Sequence, residues 1–318
     1  LFRAKEGAPQ LRGLSLTVWF VIVGAVVLYL FFSWEDRLIE KGKEPLIDPA
    51  VLKNNHLLGG LMTFLFQFFL QASIFFVVPL FLSVALGMSA IDTGLRILPL
   101  SLSLLVAAIG IPRLRPHADP RRVSRIGIIL ILAGILLLIG GIDLDASAGV
   151  VLVPMLLIGF GIGALASQLG AVTVSAVPDD QAAEVGGLQN TFTNLGAALG
   201  TAIAGTVLLI VLTSAFLTAF TNNPDIPQEV KDQANVQLAT GIPFMSDAAV
   251  EEAMQEAGQT PEVTQAAVEA NRGARIEALD VTLSVLAIIA VVALFPTRRI
   301  PRQHPGGSGP PDETAAAG

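Results

Sequence analysis

The chain of 318 residues contains no cysteine, which removes disulfides, thiol nucleophiles and Cys-ligated zinc at once. Its three histidines, His56, His117 and His304, fall far apart and between apolar runs, so no His-based metal site or catalytic triad takes shape. Phosphate loops of the G-x-x-x-x-G-K kind, H-E-x-x-H, G-x-S-x-G and N-x-[ST] sequons are all absent, and an enzyme reading has little to start from. Charge is scarce as well, at 14% of residues against 53% hydrophobic. With a mean hydropathy of +0.69, this is far from an ordinary globular mixture.

What the chain does have is long apolar runs. A helix needs about 20 mostly apolar residues to cross a bilayer core. Seven runs qualify, over 14–33, 57–83, 92–111, 126–142, 149–176, 186–216 and 278–295. Backbone groups in lipid must be satisfied within each segment, so the expected fold is an all-α integral membrane protein. The first run is too long for a signal-peptide core and no small-residue cleavage site follows it. Trp19 and Trp34 stand near its two ends, where aromatic rings favour the headgroup region. The chain begins at Leu1 rather than Met, and more sequence is expected upstream.

Lys and Arg in the loops predict orientation. The 112–125 loop carries Arg113, Arg115, Arg121, Arg122 and Arg125 against Asp119. The tail adds Arg298, Arg299 and Arg302, and the 34–56 segment adds Arg37, Lys41, Lys43 and Lys53. With seven spans these regions share one side, assigned to the cytoplasm of a cell-membrane protein. The opposite loops, 84–91 and 143–148, have neither Lys nor Arg; Arg3, Lys5 and Arg12 conflict with the scheme. The net charge of −7 has one source, because residues 217–277 hold ten acids against Lys231, Arg272 and Arg275. A nucleic-acid partner would want a basic footprint instead. Within this long extracytoplasmic loop, Ser246-Asp247 and Thr260-Pro261-Glu262 have the form of helix starts, predicting two short surface helices, either a cap over an exit or a tolerated insertion. The tail "PGGSGPPDETAAAG" has a disordered composition.

Polarity is spread unevenly over the spans. In "EVGGLQNTFTNLGAALGTAIAGTVLL", Asn190, Asn194, Ala197 and Thr201 share one helical side with Gln189 and Thr193 nearby, while Leu188, Phe192, Leu195, Leu199 and Ile203 lie opposite. Gly196, Gly200 and Ala204 form a small-xxx-small stripe that admits a neighbouring helix. Gln67 and Gln71 stand a turn apart in the second span; the fifth carries Gly159, Gly163, Ser167 and Gln168. The fourth has no polar side chain, and "VTLSVLAIIAVVALF" offers only Thr282 and Ser284. Single amides in membrane helices often just bond a neighbour, at about 0.6 kcal/mol. A cluster over three helices points to a polar cavity. For Arg96, four residues after Asp92, an i,i+4 ion pair is the plainer reading and a gate the sharper one. No mid-membrane Asp or Glu is found, although proton relays normally use one.

The order of these elements resembles the C-terminal part of a fourteen-helix major facilitator superfamily exporter of the drug:proton antiporter group. "WEDRLIEKGKEPLIDPAVLKNNHL" resembles that group's extra helix and cytoplasmic link; "VPLFLSVALGMSAIDTGLRILPLSL" is similar to the loop joining the first two helices of its second bundle. "VPDDQAAEVGGLQNTFTNLGAALGTAIAGTVL" is similar to its penultimate region. The likeness covers about residues 14–300. The family's basic loop, Gly-x-x-x-Asp-x-x-Gly-x-Arg, is shorter here and lacks both glycines, so that only Asp119, Arg121 and Arg122 match. The resemblance implies a C-terminal six-helix bundle preceded by one extra transmembrane helix. Its parts are a leading segment (1–13), the extra helix (14–33), a cytoplasmic link (34–56), five helices (57–216), the acidic loop (217–277), the last helix (278–296) and a cytoplasmic tail (297–318). It also implies no cofactor, a proton gradient as energy source, a small amphipathic substrate, and an N-terminal bundle of the same chain as partner alongside the lipid bilayer. Spans two, three, five and six would border the cavity, lined by Gln67, Gln71, Gln168, Gln189, Asn190, Thr193 and Asn194. Gly159, Gly163, Gly196 and Gly200 would serve packing or gating, and Arg121 and Arg122 would meet anionic lipid or the other bundle. A seven-helix receptor with an acidic outer loop is the competing class, and a membrane-embedded lipid-modifying enzyme a third.

Overall fold

The computed structural model describes residues 10–11, 14–42, 53–143, 146–174, 177, 181–223, 226, 228, 231 and 244–301. Expectations for Arg3, Lys5, Arg12, Lys43, Arg302, the tail beyond Pro301 and most of 224–243 lie outside them. The chain forms two units, Leu1–Asn55 and His56–Gly318. In the first, β1 (Gln10–Leu11) and β2 (Leu14–Ser15) pair antiparallel and lead into helix α1 (Leu16–Glu40). The sequence ended this span at 33, yet the helix runs seven residues further. The stretch after Ser33, "WEDRLIE", contains neither glycine nor proline to stop it.

The second unit is a helical bundle. Its helices are α2 (Asn55–Leu80), α3 (Ala90–Leu114), α4 (Pro120–Gly141), α5 (Leu152–Val174), α6 (Ala182–Asn222), α7 (Asp247–Glu256) and α8 (Pro261–Val292). With α1, seven described helices are long and apolar enough to cross a membrane. Their starts follow local chemistry. Ser89 accepts from the Asp92 amide to cap α3, Asp119 accepts from the Arg121 and Arg122 amides to cap α4, and Thr260 accepts from the Val263 amide to cap α8. Pro120 and Pro261 occupy first-turn positions where no backbone N–H is needed.

Two helices outrun the bilayer. At 1.5 Å per residue, α8 is about 48 Å long and α6 about 62 Å, against a hydrocarbon core of about 30 Å. The expected pair of short helices in the acidic loop is therefore one short helix, α7, and the first half of α8, which continues unbroken into the last span. From Pro261 to Asp280 this stretch keeps buried alanines at helical spacing, Ala267, Ala270, Ala274 and Ala278, so the chain has a packing face and no breaker that would end the helix.

α5 lies at the centre, packed along α3 and α4, while α8 packs along α6 and α4. Glycines set these contacts. A methyl group at Gly159 would overlap the Leu100 carbonyl and Ser103 hydroxyl of α3, and one at Gly163 the Leu104 carbonyl. Gly196 and Gly200 of α6 stand equally close to the Leu65 and Phe69 carbonyls of α2. Gly127 on α4 and Gly161 on α5 each face the other's carbonyl. Beneath them the core is aliphatic, with Leu70, Ile131, Ile135, Ile158, Leu165 and Leu283 fully enclosed.

The seams predict a sharp contrast. Gly200→Val should destabilise the bundle by about 1–3 kcal/mol through overpacking, read as a lower melting temperature in detergent. Gly94→Ala, where an added methyl meets nothing within 4 Å, should be neutral or stabilising by about 0.5–1 kcal/mol.

Candidate functional site

The amides sort into two environments. Gln67 and Gln168 are buried, and the Oε1 atom of each has no hydrogen-bond partner among the described residues. Both sit on the same side of one fixed point, where Gly60 of α2 meets the Thr173 methyl of α5. Gln67 is seven residues beyond that contact and Gln168 five, or about 10 and 8 Å along their helices. Two buried amide acceptors thus stand at similar depth on neighbouring helices. A buried acceptor left open costs about 1–3 kcal/mol, so this is a place to look for a ligand or water.

α6 adds a third amide. Gln189 donates to the Thr173 hydroxyl and, at 3.5 Å, to the Gly170 carbonyl, tying α6 to α5. Thr173 was missed in the sequence, where it looks like any β-branched residue near a span's end. Asn190 and Asn194 are exposed and bond each other, the Asn194 amide donating to the Asn190 carbonyl at 2.9 Å and to its Oδ1 at 3.0 Å. Thr193 and Gln71 are half-buried. The stripe Gly196, Gly200 and Ala204 is buried. The apolar side does not point into the bundle, because Leu195, Leu199 and Ile203 are as open as the asparagines. The covered face of α6 is the small-residue seam continued by Val185, Leu188, Leu208, Leu212, Phe216 and Phe220, and the sides bearing Asn190 with Asn194 and Leu195 with Leu199 form open surface.

Asp92 and Arg96 are exposed. The Ser89 hydroxyl donates to Asp92 Oδ2 at 2.7 Å, and the ion pairs among the described residues do not include Asp92 with Arg96. The helix cap offers Asp92 a nearer donor than the next turn does. Arg121 and Arg122 make contacts within the bundle. Arg121 donates from Nε to the Ile300 carbonyl at 2.7 Å, and Arg122 pairs with Asp119 at 3.4 Å. Arg125 donates to the Thr297 hydroxyl at 3.2 Å and His56 bonds the Arg299 carbonyl at 2.8 Å. Helix ends leave carbonyls unsatisfied, and the first turns of α4 and α2 satisfy those after α8. The basic loop holds down the end of the last helix.

At the acidic end a buried arginine plays the matching part. Arg275 is 2% exposed. It donates to the Val84 carbonyl at 3.2 Å, to the Met245 carbonyl at 3.0 Å and to Asp247. Arg272 bonds the same carboxylate at 2.7 Å, and the Asn271 amide reaches the Met245 carbonyl at 3.2 Å. Val84 belongs to a π-helical turn, Phe81–Ala85, that extends α2 past Pro79. Gly87 (φ 65°) follows and ends the helix. Arg275 therefore joins α8, α7 and the end of α2.

One acid was overlooked in the sequence. Asp280 lies within the last span, and its Oδ1 is enclosed without a hydrogen-bond partner among the described residues. It falls inside the 278–295 run and was missed because the polar side chains of that run were counted from Val281 onward. No group of three metal-binding side chains occurs among the described residues. Three clefts are lined by residues other than the amides. One of about 720 Å³ lies between α3 and α4, one of about 310 Å³ between α4 and α8, and a polar one of about 400 Å³ between α7 and α8.

These features define a multi-pass helical membrane protein built on glycine seams, with open polar faces. Residues 12–201 match the Major Facilitator Superfamily, and the chain belongs to that family. It is similar to the multidrug resistance protein Stp of Mycobacterium tuberculosis, 26% identical over 224 residues, covering 70% of this chain and 40% of the relative. It is similar also to the tetracenomycin C resistance and export protein of Streptomyces glaucescens, 26% identical over 299 residues, covering 89% of this chain and 52% of the relative. The probable actinorhodin transporter of Streptomyces coelicolor is 26% identical over 198 residues, 61% of this chain and 34% of its own. The chain spans about half or less of the length of these relatives. Membership in this family favours the transporter class over the receptor and the enzyme.

The clamp at the acidic end is testable. Arg275→Met leaves the Val84 carbonyl without its arginine donor and Asp247 with Arg272 alone, and a buried acceptor left open costs about 1–3 kcal/mol. Hydrogen exchange over 244–258 should accelerate sharply, while exchange in α3 and α5 stays unchanged. Arg275→Lys should fail to restore protection, since a single ammonium cannot hold the same fork of acceptors.

Proposed function

We propose that the chain is the carboxyl-terminal half of a proton-coupled exporter of the fourteen-helix drug:proton antiporter group, moving amphipathic small molecules by alternating access. The observation that carries this reading is the allocation of polarity. Unpaired buried acceptors on α2 and α5 adjoin an α6 whose amide face is open, and α4, which has no polar side chain from Ile126 onward, presents Ile126, Ile129, Leu136 and Leu137 outward. In pseudo-symmetric transporters the substrate lies between the two halves near the midplane. The second half here is the expected N-terminal bundle of the same chain. Neutral amides suit a greasy substrate with few polar groups, because they offer bonds without the cost of burying a charge.

The names of two relatives, one for multidrug resistance and one for resistance and export of tetracenomycin C, support export as the direction. Loop arginines put the 112–125 loop and the C-terminus in the cytoplasm. For proton coupling the support within this chain is Asp280, a carboxylate inside a span with an unpartnered oxygen, since intramembrane acids are default functional candidates.

Two measurements on the intact protein bear on this. Asn190→Ala with Asn194→Ala should cut energised efflux about tenfold, the scale of one or two lost hydrogen bonds, while Leu136→Ala leaves it unchanged. Equal efflux in all three would remove the amide face from the pathway. Asp280→Asn should abolish efflux driven by a pH gradient yet retain substrate binding and downhill exchange. Undiminished gradient-driven efflux would place the coupling acid elsewhere.

A further inference from the structure

The arginine-rich end of α4 is flanked on both sides by grooves of the same design. On the α3 side, Val106 and Leu114 face Ile126 and Leu130 across a cleft of about 720 Å³ floored by Phe160 of α5. Its mouth holds Arg115, His117 and Arg122, with Asp119 as the one acid. On the α8 side, Ile129 faces Val291, Leu294 and Phe295 in a cleft of about 310 Å³ that ends on Arg125 and Arg298. Each groove is a hydrocarbon slot with guanidinium groups at one end. The opposite end of α3 and α4, 84–91 and 143–148, has no Lys or Arg.

The charges at the two mouths are not all consumed by the fold. Arg121 is held by the Ile300 carbonyl, Arg125 by Thr297 and Arg122 partly by Asp119. The Arg115 side chain has no hydrogen bond or ion pair among the described residues. Arg298 rests over the Phe295 ring at 5.4 Å, a contact that leaves its hydrogen-bond donors uncommitted. The net charge of each mouth is positive, and each slot opens beside side chains left bare, Leu114 at 82% and Phe295 at 58% exposed.

We propose that these two grooves bind anionic phospholipid from the surrounding leaflet, with the acyl chains in the slots and the phosphate headgroups on Arg115 and Arg298. A zwitterionic headgroup carries its own ammonium and gains little from a guanidinium, whereas an anionic one gains from every arginine near the surface. Arginine binds phosphate through parallel N–H donors, and the slots begin where the helices leave the hydrocarbon. The proposal adds a lipid site outside the amide surface and does not depend on what is transported. It makes α4, with no polar side chain of its own in the bilayer, the lipid-anchored helix of the bundle.

The experiment is native mass spectrometry on the intact, delipidated protein, titrated with phosphatidylglycerol or phosphatidylcholine of identical chains. Phosphatidylglycerol should be retained at a concentration at least about tenfold lower. Arg115→Gln and Arg298→Gln touch no hydrogen bond of the fold, and each should reduce that preference about fivefold. Gly110→Leu adds bulk to the larger groove at a lining position where an added Cβ meets nothing within 4 Å. It should remove one bound lipid and leave the melting temperature unchanged. Equal retention of the two lipids, an undiminished preference in the double arginine variant, or full occupancy in Gly110→Leu would each overturn the site. So would the absence of any retained lipid, the result expected if another protein segment covers these grooves.

Discussion

Helices surrounded by lipid gain nothing from hiding their apolar faces from one another, so their association depends on close van der Waals contact. In this bundle that contact is made backbone to backbone. Gly159 and Gly163 bring α5 onto the carbonyls of α3, Gly196 and Gly200 bring α6 onto those of α2, and Gly127 with Gly161 seats α4 on α5. These seams set the spacing of α2 against α6 and of α3 and α4 against α5. They leave little room for large side chains along the contact, so the open amide face of α6 lies beside its seam while Gln67 and Gln168 are buried. A rigid core with polar flanks is the arrangement a rocking half-transporter would need.

Arginine serves the two ends of the bundle by one physical principle applied twice. Carbonyls at the ends of helices need donors, and cations favour those ends. Arg121 supplies a donor to the Ile300 carbonyl after α8 while Arg125 bonds the Thr297 hydroxyl beside it, and Arg275 supplies one for the π-helical end of α2. The same residues that a hydropathy argument counts as orientation signals are thus, in part, structural bonds. At the acidic end the clamp is buried, and it gathers α7, α8 and α2 around one guanidinium. At the basic end the bonds are more exposed, and leftover positive charge faces the leaflet.

The polar surface has two layers. Gln67 and Gln168 lie inside with open acceptors, while Asn190 and Asn194 lie outside and satisfy each other. Gln189 spans the two, fastened to Thr173. An inner pair of unsatisfied amides and an outer self-satisfied pair would favour entry of a ligand with a donor group over one without. The paired asparagines avoid a desolvation cost when that surface is dry.

Composition and spacing were enough to establish that this chain is a multi-spanning helical membrane protein. With about half of its residues hydrophobic and seven runs long enough to cross, lipid permits no other backbone solution. Helix starts at Ser246 and Thr260 were equally legible, because capping is local chemistry. Tertiary structure alone decided that the helix starting at Pro261 runs unbroken into the last span with its alanine face covered. It alone decided that Arg275 is buried while Arg272 is exposed, that Arg121 bonds a carbonyl, and that Thr173 meets Gln189. Those pairs are separated by 16 to 191 residues, and no sequence period records which helix lies beside which. Period tells which side of a helix is polar; the neighbour decides whether that side is inside.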